Sequence, residues 1–183
     1  TSSSGENILL TSAGGIISFN DSSTEHGRFD AEGRLGIGVV PPSGSQVGLY
    51  LTGGGATYST SSTYRYDMVN SYFDGAWKYI GNGVATQIYQ ANGSFVFNQA
   101  SSNSSGAGAS LSWSEAMRID SSGRVLIGTT TEGATAADNF TISGSSNVGM
   151  TIRSTSSNDS AVYFSDGTSG ASEYKGYIAY AHG

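Results

Sequence analysis

One eleven-residue stretch occurs twice in this chain. Arg28-Phe29-Asp30-Ala31-Glu32-Gly33-Arg34-Leu35-Gly36-Ile37-Gly38 matches Arg118-Ile119-Asp120-Ser121-Ser122-Gly123-Arg124-Val125-Leu126-Ile127-Gly128 at six positions, 90 residues apart. A fixed internal period limits the fold to tandem units that complete one another's cores. Ninety residues is long for a solenoid coil and suits a unit of several hairpins. Weaker matches lie upstream: Ile17-Ser18-Phe19 precedes the first copy and Leu111-Ser112-Trp113 the second. Val162-Tyr163-Phe164 reads as the opening of a third unit.

The local hydrophobic pattern has period two, the signature of strands with one buried face. Arg34–Val40, Val47–Thr52, Phe95–Asn98, Arg124–Gly128, Phe140–Ser143 and Met150–Arg153 all read as short strands. Asp74-Gly75, Asn82-Gly83, Asn92-Gly93 and Asp166-Gly167 read as type I′ turns, in which both central residues take positive φ. Asp120-Ser121-Ser122-Gly123 reads as a longer hairpin loop. No segment of a dozen residues combines helical period with caps. These signals divide the chain into a first β-repeat segment (1–40), a linker (41–45), an aromatic-rich β-repeat unit (46–130) and the start of a third (131–183). Ser101–Gly108 is a second linker-like run.

Ser, Thr, Asn and Gly make up 86 of 183 residues, while Leu, Ile, Val and Phe make up 34. The core per chain is therefore thin, and a partner chain is the expected complement. Disorder is disfavoured because the net charge is only −6 and there are 11 Tyr, 7 Phe and 2 Trp. Gly36, Gly38, Gly128 and Gly149 fall inside strand patterns and imply close backbone approach. Three chains wound about one axis would need such approach, and so would a small single-chain barrel. Two Lys and six scattered Arg argue against a nucleic-acid partner. No apolar run approaches the ~20 residues of a membrane helix. Without cysteine, no disulfide framework or thiol chemistry is available. The chain opens on Thr1 and is expected to be part of a longer protein.

Met117-Arg118-Ile119-Asp120-Ser121-Ser122-Gly123-Arg124-Val125-Leu126-Ile127-Gly128-Thr129-Thr130 resembles the MRIDSSGNVGIGTT repeat of bacteriophage tail fibres and related virion fibres. The blocks Asn70–Gly83, Val162–Gly170 and Gly176–Tyr180 look like further recurring segments of such proteins. The first copy departs from the pattern at Ala31-Glu32 and lacks the Met before Arg28. The resemblance implies an intertwined parallel homotrimer with triple-stranded β-helix or β-prism-like segments. It also implies a place in the virion, a role in attachment to the bacterial host, and a downstream chaperone domain released by self-cleavage. Its implied partners are two further copies of the chain, other tail proteins, and a bacterial surface glycan or protein receptor.

Signals for enzymatic chemistry are sparse. Gly167–Ala171 approaches G-x-S-x-G but ends in Ala and lacks a strand-to-helix setting. His26 and His182 have no partner at metal-ligand spacing, so no metal or other cofactor is expected. A polysaccharide-cleaving spike needs two carboxyls about 5–9.5 Å apart. The available ones (Asp67, Asp74, Glu115, Asp120, Asp138, Asp159, Asp166) mostly sit beside turn residues. Arg28–Asp30 and Arg118–Asp120 read as charge pairs on one strand face. The aromatic density is distinctive: Tyr58, Tyr64, Tyr66, Tyr72, Phe73, Trp77, Tyr79 and Tyr89 lie within 32 residues. Tyr64, Tyr66, Tyr72, Trp77, Tyr79 and Tyr89 are therefore candidate glycan contacts, or else they fill a trimer core.

The expectation is an all-β fold with short strands, tight turns and no substantial helix, in a non-enzymatic trimeric fibre segment. Aliphatic and aromatic side chains would face the axis, and hydroxyls and amides the solvent. A fragment of a polysaccharide-degrading tailspike and a monomeric carbohydrate-binding β-sandwich are the alternatives.

Overall fold

The structure is a computed structural model that describes residues 15–42, 48–51 and 55–181. It is all-β, and its one helical feature among the described residues is a 3-10 turn at Gly170–Tyr174. Residues up to Gly144 form one compact unit and residues from Ser145 a second.

The first unit is built on one sheet of eleven strands. In chain order these are β1 (Ile17–Asp21), β2 (Thr24–Phe29), β3 (Leu35–Ile37), β4 (Gly48–Leu51), β5 (Gly55–Ser61), β6 (Tyr64–Val69), β9 (Gly83–Ala91), β10 (Ser94–Asn103), β11 (Ser114–Ile119), β12 (Val125–Ile127) and β13 (Phe140–Ile142). A separate hairpin, β7 (Ser71–Phe73) with β8 (Trp77–Tyr79), is inserted between β6 and β9. Spatial order follows chain order, with β6 pairing directly to β9 across the insertion. Pairing is antiparallel except at β3–β4 and β12–β13, which are parallel.

The two sequence repeats fold alike. In each, a bulge adds one residue to the second strand. Phe19 faces Gly27 while Asn20 faces Glu25, leaving His26 extra. Phe97 faces Met117 while Asn98 faces Glu115, leaving Ala116 extra. A bulge shifts the in–out alternation by one residue, so Glu25 joins the face of Arg28, and Glu115 that of Arg118. Arg28 accordingly pairs with Glu25 (2.5 Å) and Arg118 with Glu115 (2.5 Å). This corrects the expected pairing of Arg28 with Asp30 and of Arg118 with Asp120.

The aspartates instead build the turns. Asp120 Oδ1 accepts from the amides of Ser122 (2.9 Å) and Arg124 (3.0 Å), and Oδ2 accepts from Arg124 Nε (2.8 Å). Asp30 makes the same three bonds to Glu32 and Arg34. The carbonyls of the bulge residues accept from Gly38 (2.8 Å) and Gly128 (3.0 Å), whose φ values are +65° and +71°. A Cβ on Gly128 would stand 2.2 Å from the Ser143 carbonyl oxygen, and one on Gly36 2.1 Å from that of Val39. The crowding foreseen at these glycines is thus met within one chain. Gly149 meets nothing within 4 Å.

The structural counterpart of Ile17-Ser18-Phe19 is Phe95-Val96-Phe97, which carries the same bulge, and not Leu111-Ser112-Trp113. The latter runs beside β8, where the Leu111 amide donates to the Trp77 carbonyl (2.9 Å). Of the four expected type I′ turns, Asn92-Gly93 has both residues at positive φ (49° and 81°). Asp74-Gly75 and Asn82-Gly83 have only the glycine there, and Asp166-Gly167 has neither. In the second unit, β14 (Ser160–Phe164) pairs antiparallel with β15 (Gly176–Tyr180), with Tyr163 opposite Tyr177. Met150–Arg153, read as a strand from its pattern, is irregular.

Candidate functional site

The register gives the large sheet two chemically distinct faces. On one, the directly opposed residues across all eleven strands are Ile17, Phe29, Leu35, Leu49, Thr57, Asp67, Ile88, Phe97, Met117, Ile127 and Ile142. Nine of these eleven are apolar. Phe19, Ile37, Leu51, Val69, Phe95 and Phe140 flank the row on the same face. Eight of these side chains remain between 42% and 53% exposed: Phe19, Phe29, Ile37, Leu51, Val69, Ile88, Phe95 and Phe140. The one acidic residue in the row, Asp67, pairs with Arg65 at 3.3 Å.

The opposite face carries the aromatics. Tyr58, Tyr66 and Tyr89 oppose one another on β5, β6 and β9. Their rings stack, with centroids 5.1 Å apart for Tyr58–Tyr66 and 5.6 Å for Tyr66–Tyr89, and Tyr64 continues the row at 6.5 Å. Hairpin β7–β8 folds over this face. Trp77 lies 5.8 Å from Tyr66 and meets Trp113 edge-on at 5.7 Å. Beneath it, Tyr50, Ala56, Tyr58 and Met68 form one buried cluster, and Tyr79, Ala85, Ala100 and Leu111 another.

Burial pushes the Tyr58 phenol well above its ordinary pKa, and its neighbours Tyr66 and Tyr50 add to the effect. Tyr66 and Tyr89 are raised for the same first reason.

The six candidate glycan contacts are therefore only partly brought together. Tyr64, Tyr66 and Tyr89 share the stacked row, and Trp77 caps it. Tyr79 is buried and donates its hydroxyl to the Ser101 carbonyl. Tyr72 lies half-buried on β7, in register with Lys78. Tyr64 and Tyr89 line a cleft of about 240 Å³ with Asn92, Ser94 and Arg118, and Asn92 Nδ2 donates to the Tyr64 hydroxyl (2.8 Å). These rings pack against one another within their own chain.

Five of the seven carboxylates considered for acid–base chemistry, Asp67, Asp74, Glu115, Asp120 and Asp138, are paired with Arg or Lys. Asp74 accepts from Lys78 Nζ (2.7 Å), and Arg124 gathers Asp120, Asp138 (3.1 Å) and Glu132 (3.6 Å). His26 faces Asp21 at 3.0 Å on the surface, and His182 lies outside the described residues. No group of three or more metal-ligating side chains occurs among the described residues. The chain matches no family model and no curated protein.

Proposed function

We propose that the chain is a non-enzymatic structural segment of a homotrimeric virion fibre of the phage type, serving adsorption to a bacterial surface. The observation that carries this reading is the apolar face of the large sheet, on which eight large aliphatic and phenylalanine side chains from β1–β4, β6, β9, β10 and β13 stay half-exposed. Burying a large apolar side chain is worth about 1.5–3 kcal/mol, so each of the eight half-exposed residues would gain about 1 kcal/mol. Roughly 8 kcal/mol per chain is then available before the entropy of association is subtracted. Three sheets that turn these faces to a common axis would close a three-sided prism. The stacked tyrosines would then lie outside that axis, which differs from the arrangement expected from composition.

The tail-fibre resemblance of Met117–Thr130 supports the location in a virion and the threefold state. It also supports contacts with other tail proteins and a receptor on the host, a glycan foremost. Three copies on one fibre would multiply weak contacts by effective concentration. The engagement of Asp67, Asp74, Glu115, Asp120 and Asp138 by Arg and Lys favours a scaffold over a hydrolase at the large sheet.

The test is the solution mass of the chain by light scattering. The reading expects about threefold the 18.8 kDa of one chain. A stable, folded monomer overturns it.

A further inference from the structure

The second unit carries a feature that the candidate residues leave out. Along β15 the alternation places Tyr177 and Ala179 on one face of the two-stranded ribbon, opposite Tyr163 and Ala161 of β14. Ala181 follows with the same spacing. Two rings therefore stand beside a floor of methyl groups. The 3-10 turn adds Glu173 and Tyr174, and Asp159 closes the lining of a cleft of about 610 Å³. The three rings are far more open than the stacked row of the large sheet: Tyr163 is 61%, Tyr174 54% and Tyr177 64% exposed. Tyr163 and Tyr177 lie 5.9 Å apart and tilted by 40°, so each leaves ring surface uncovered.

Large exposed rings beside a concave floor mark a ligand site. The chemistry narrows the ligand. Flat aromatic faces accept the C–H face of a sugar ring, and the small alanines leave room for one. Ionised carboxylates are pure acceptors, and bonds from hydroxyls to them are of the stronger charge-assisted kind. A saccharide is rich in such hydroxyl donors. Two acids and no cation among the described lining residues repel an anionic polymer.

We propose that this cleft binds a neutral oligosaccharide, with Tyr163, Tyr174 and Tyr177 as stacking surfaces and Asp159 and Glu173 as hydroxyl acceptors. Its use in host attachment rests on the fibre reading. Its chemistry does not.

The test is calorimetric titration of the whole chain with neutral hexose and N-acetylhexosamine oligosaccharides at millimolar concentration, with oligogalacturonate as the anionic comparison. Mass and circular dichroism are measured on each sample. At least one neutral oligosaccharide binds. Tyr177→Ala weakens it about tenfold, Glu173→Gln weakens it less, and Tyr177→Phe, which keeps the ring, retains most of the affinity. The proposal is overturned by absence of binding in the folded parent, or by preference for the anionic oligomer. It is equally overturned by loss of binding in Tyr64→Ala but not in Tyr177→Ala. A trimer that binds no saccharide sinks the cleft alone. A monomer whose binding depends on Tyr177 sinks the fibre reading alone.

Discussion

Replacing Ile88 by lysine tests the apolar face where it matters most. Ile88 lies in the middle of the eleven-strand row, 44% exposed, with Phe97 opposite on β10 and Asp67 opposite on β6. In a single chain, Ile88→Lys is mild, because the ammonium stays in water and Asp67 provides an opposite charge across the strands. In a trimer that buries this face, two costs arise. The half-exposed isoleucine loses about 1 kcal/mol of burial. An ion pair replaces apolar atoms, which costs about 1–4 kcal/mol more. The sum, roughly 2–5 kcal/mol, recurs in each of three chains, so about 6–15 kcal/mol is removed from one assembly. The expected outcome is a chain with unchanged circular dichroism and the mass of a monomer. Ser62→Lys, which adds the same charge in the exposed turn between β5 and β6, keeps the parent's mass. If Ile88→Lys retains the parent's mass, this face is not the interface and the reasoning fails.

Three further outcomes are expected. Gly128→Ala meets both a left-handed backbone and the Ser143 carbonyl at 2.2 Å, whereas Gly123→Ala at φ +81° meets nothing within 4 Å. Denaturant titration should therefore show a loss of about 1–2 kcal/mol for Gly123→Ala and a larger one for Gly128→Ala. Tyr66→Ala removes the ring that touches Tyr58, Tyr64, Trp77 and Tyr89, and should cost about 3 kcal/mol, while Tyr66→Phe stays near the parent. Stability should decline at both ends of the pH scale. Glu25, Asp74 and Asp120 titrate below ordinary carboxylates, held there first by the Arg28 side chain, the Lys78 side chain and the Arg124 amide respectively. Their contribution is present above the ordinary carboxylate range and disappears as pH falls through the lowered values. Tyr58, Tyr66 and Tyr89 are raised by burial, so theirs is present below about pH 10 and disappears above it. Thermal melts across pH check both limits, and a flat profile at either end refutes that half.

Strand positions were legible in the sequence because period-two alternation is a local signal. Arg34–Val40, Phe95–Asn98 and Phe140–Ser143 each contain or overlap a strand. The Asp120–Gly123 loop was legible because one carboxylate closing a turn on its own backbone needs only neighbouring residues. What failed was non-local or depended on phase. A single extra residue at His26 and Ala116 changes which charges share a face, and neither residue announces a bulge. The shared signal was Ile17-Ser18-Phe19-Asn20 against Phe95-Val96-Phe97-Asn98, two segments that both carry Phe-Asn at the bulge. The aromatics' fate depended on β7–β8 folding over the sheet, and the sequence says nothing about which face an inserted hairpin covers. Tyr163 and Tyr177 stand 14 residues apart in the chain and become neighbours only through the β14–β15 register.

The order of strands in the large sheet bears on how such a chain changes over time. Each strand pairs with its neighbour in sequence, and the single skip, from β6 to β9, closes over a hairpin. A ladder of this kind has no rung whose place depends on a distant one. It can be completed from either end as chain becomes available, with little loop-closure entropy at each step. A segment carrying one bulge, one aspartate-closed turn and one parallel joint could be duplicated or removed in frame, and the strands on either side would still find equivalent partners. Length in such a molecule is a number of copies, free to drift while the chemistry of its faces stays the same.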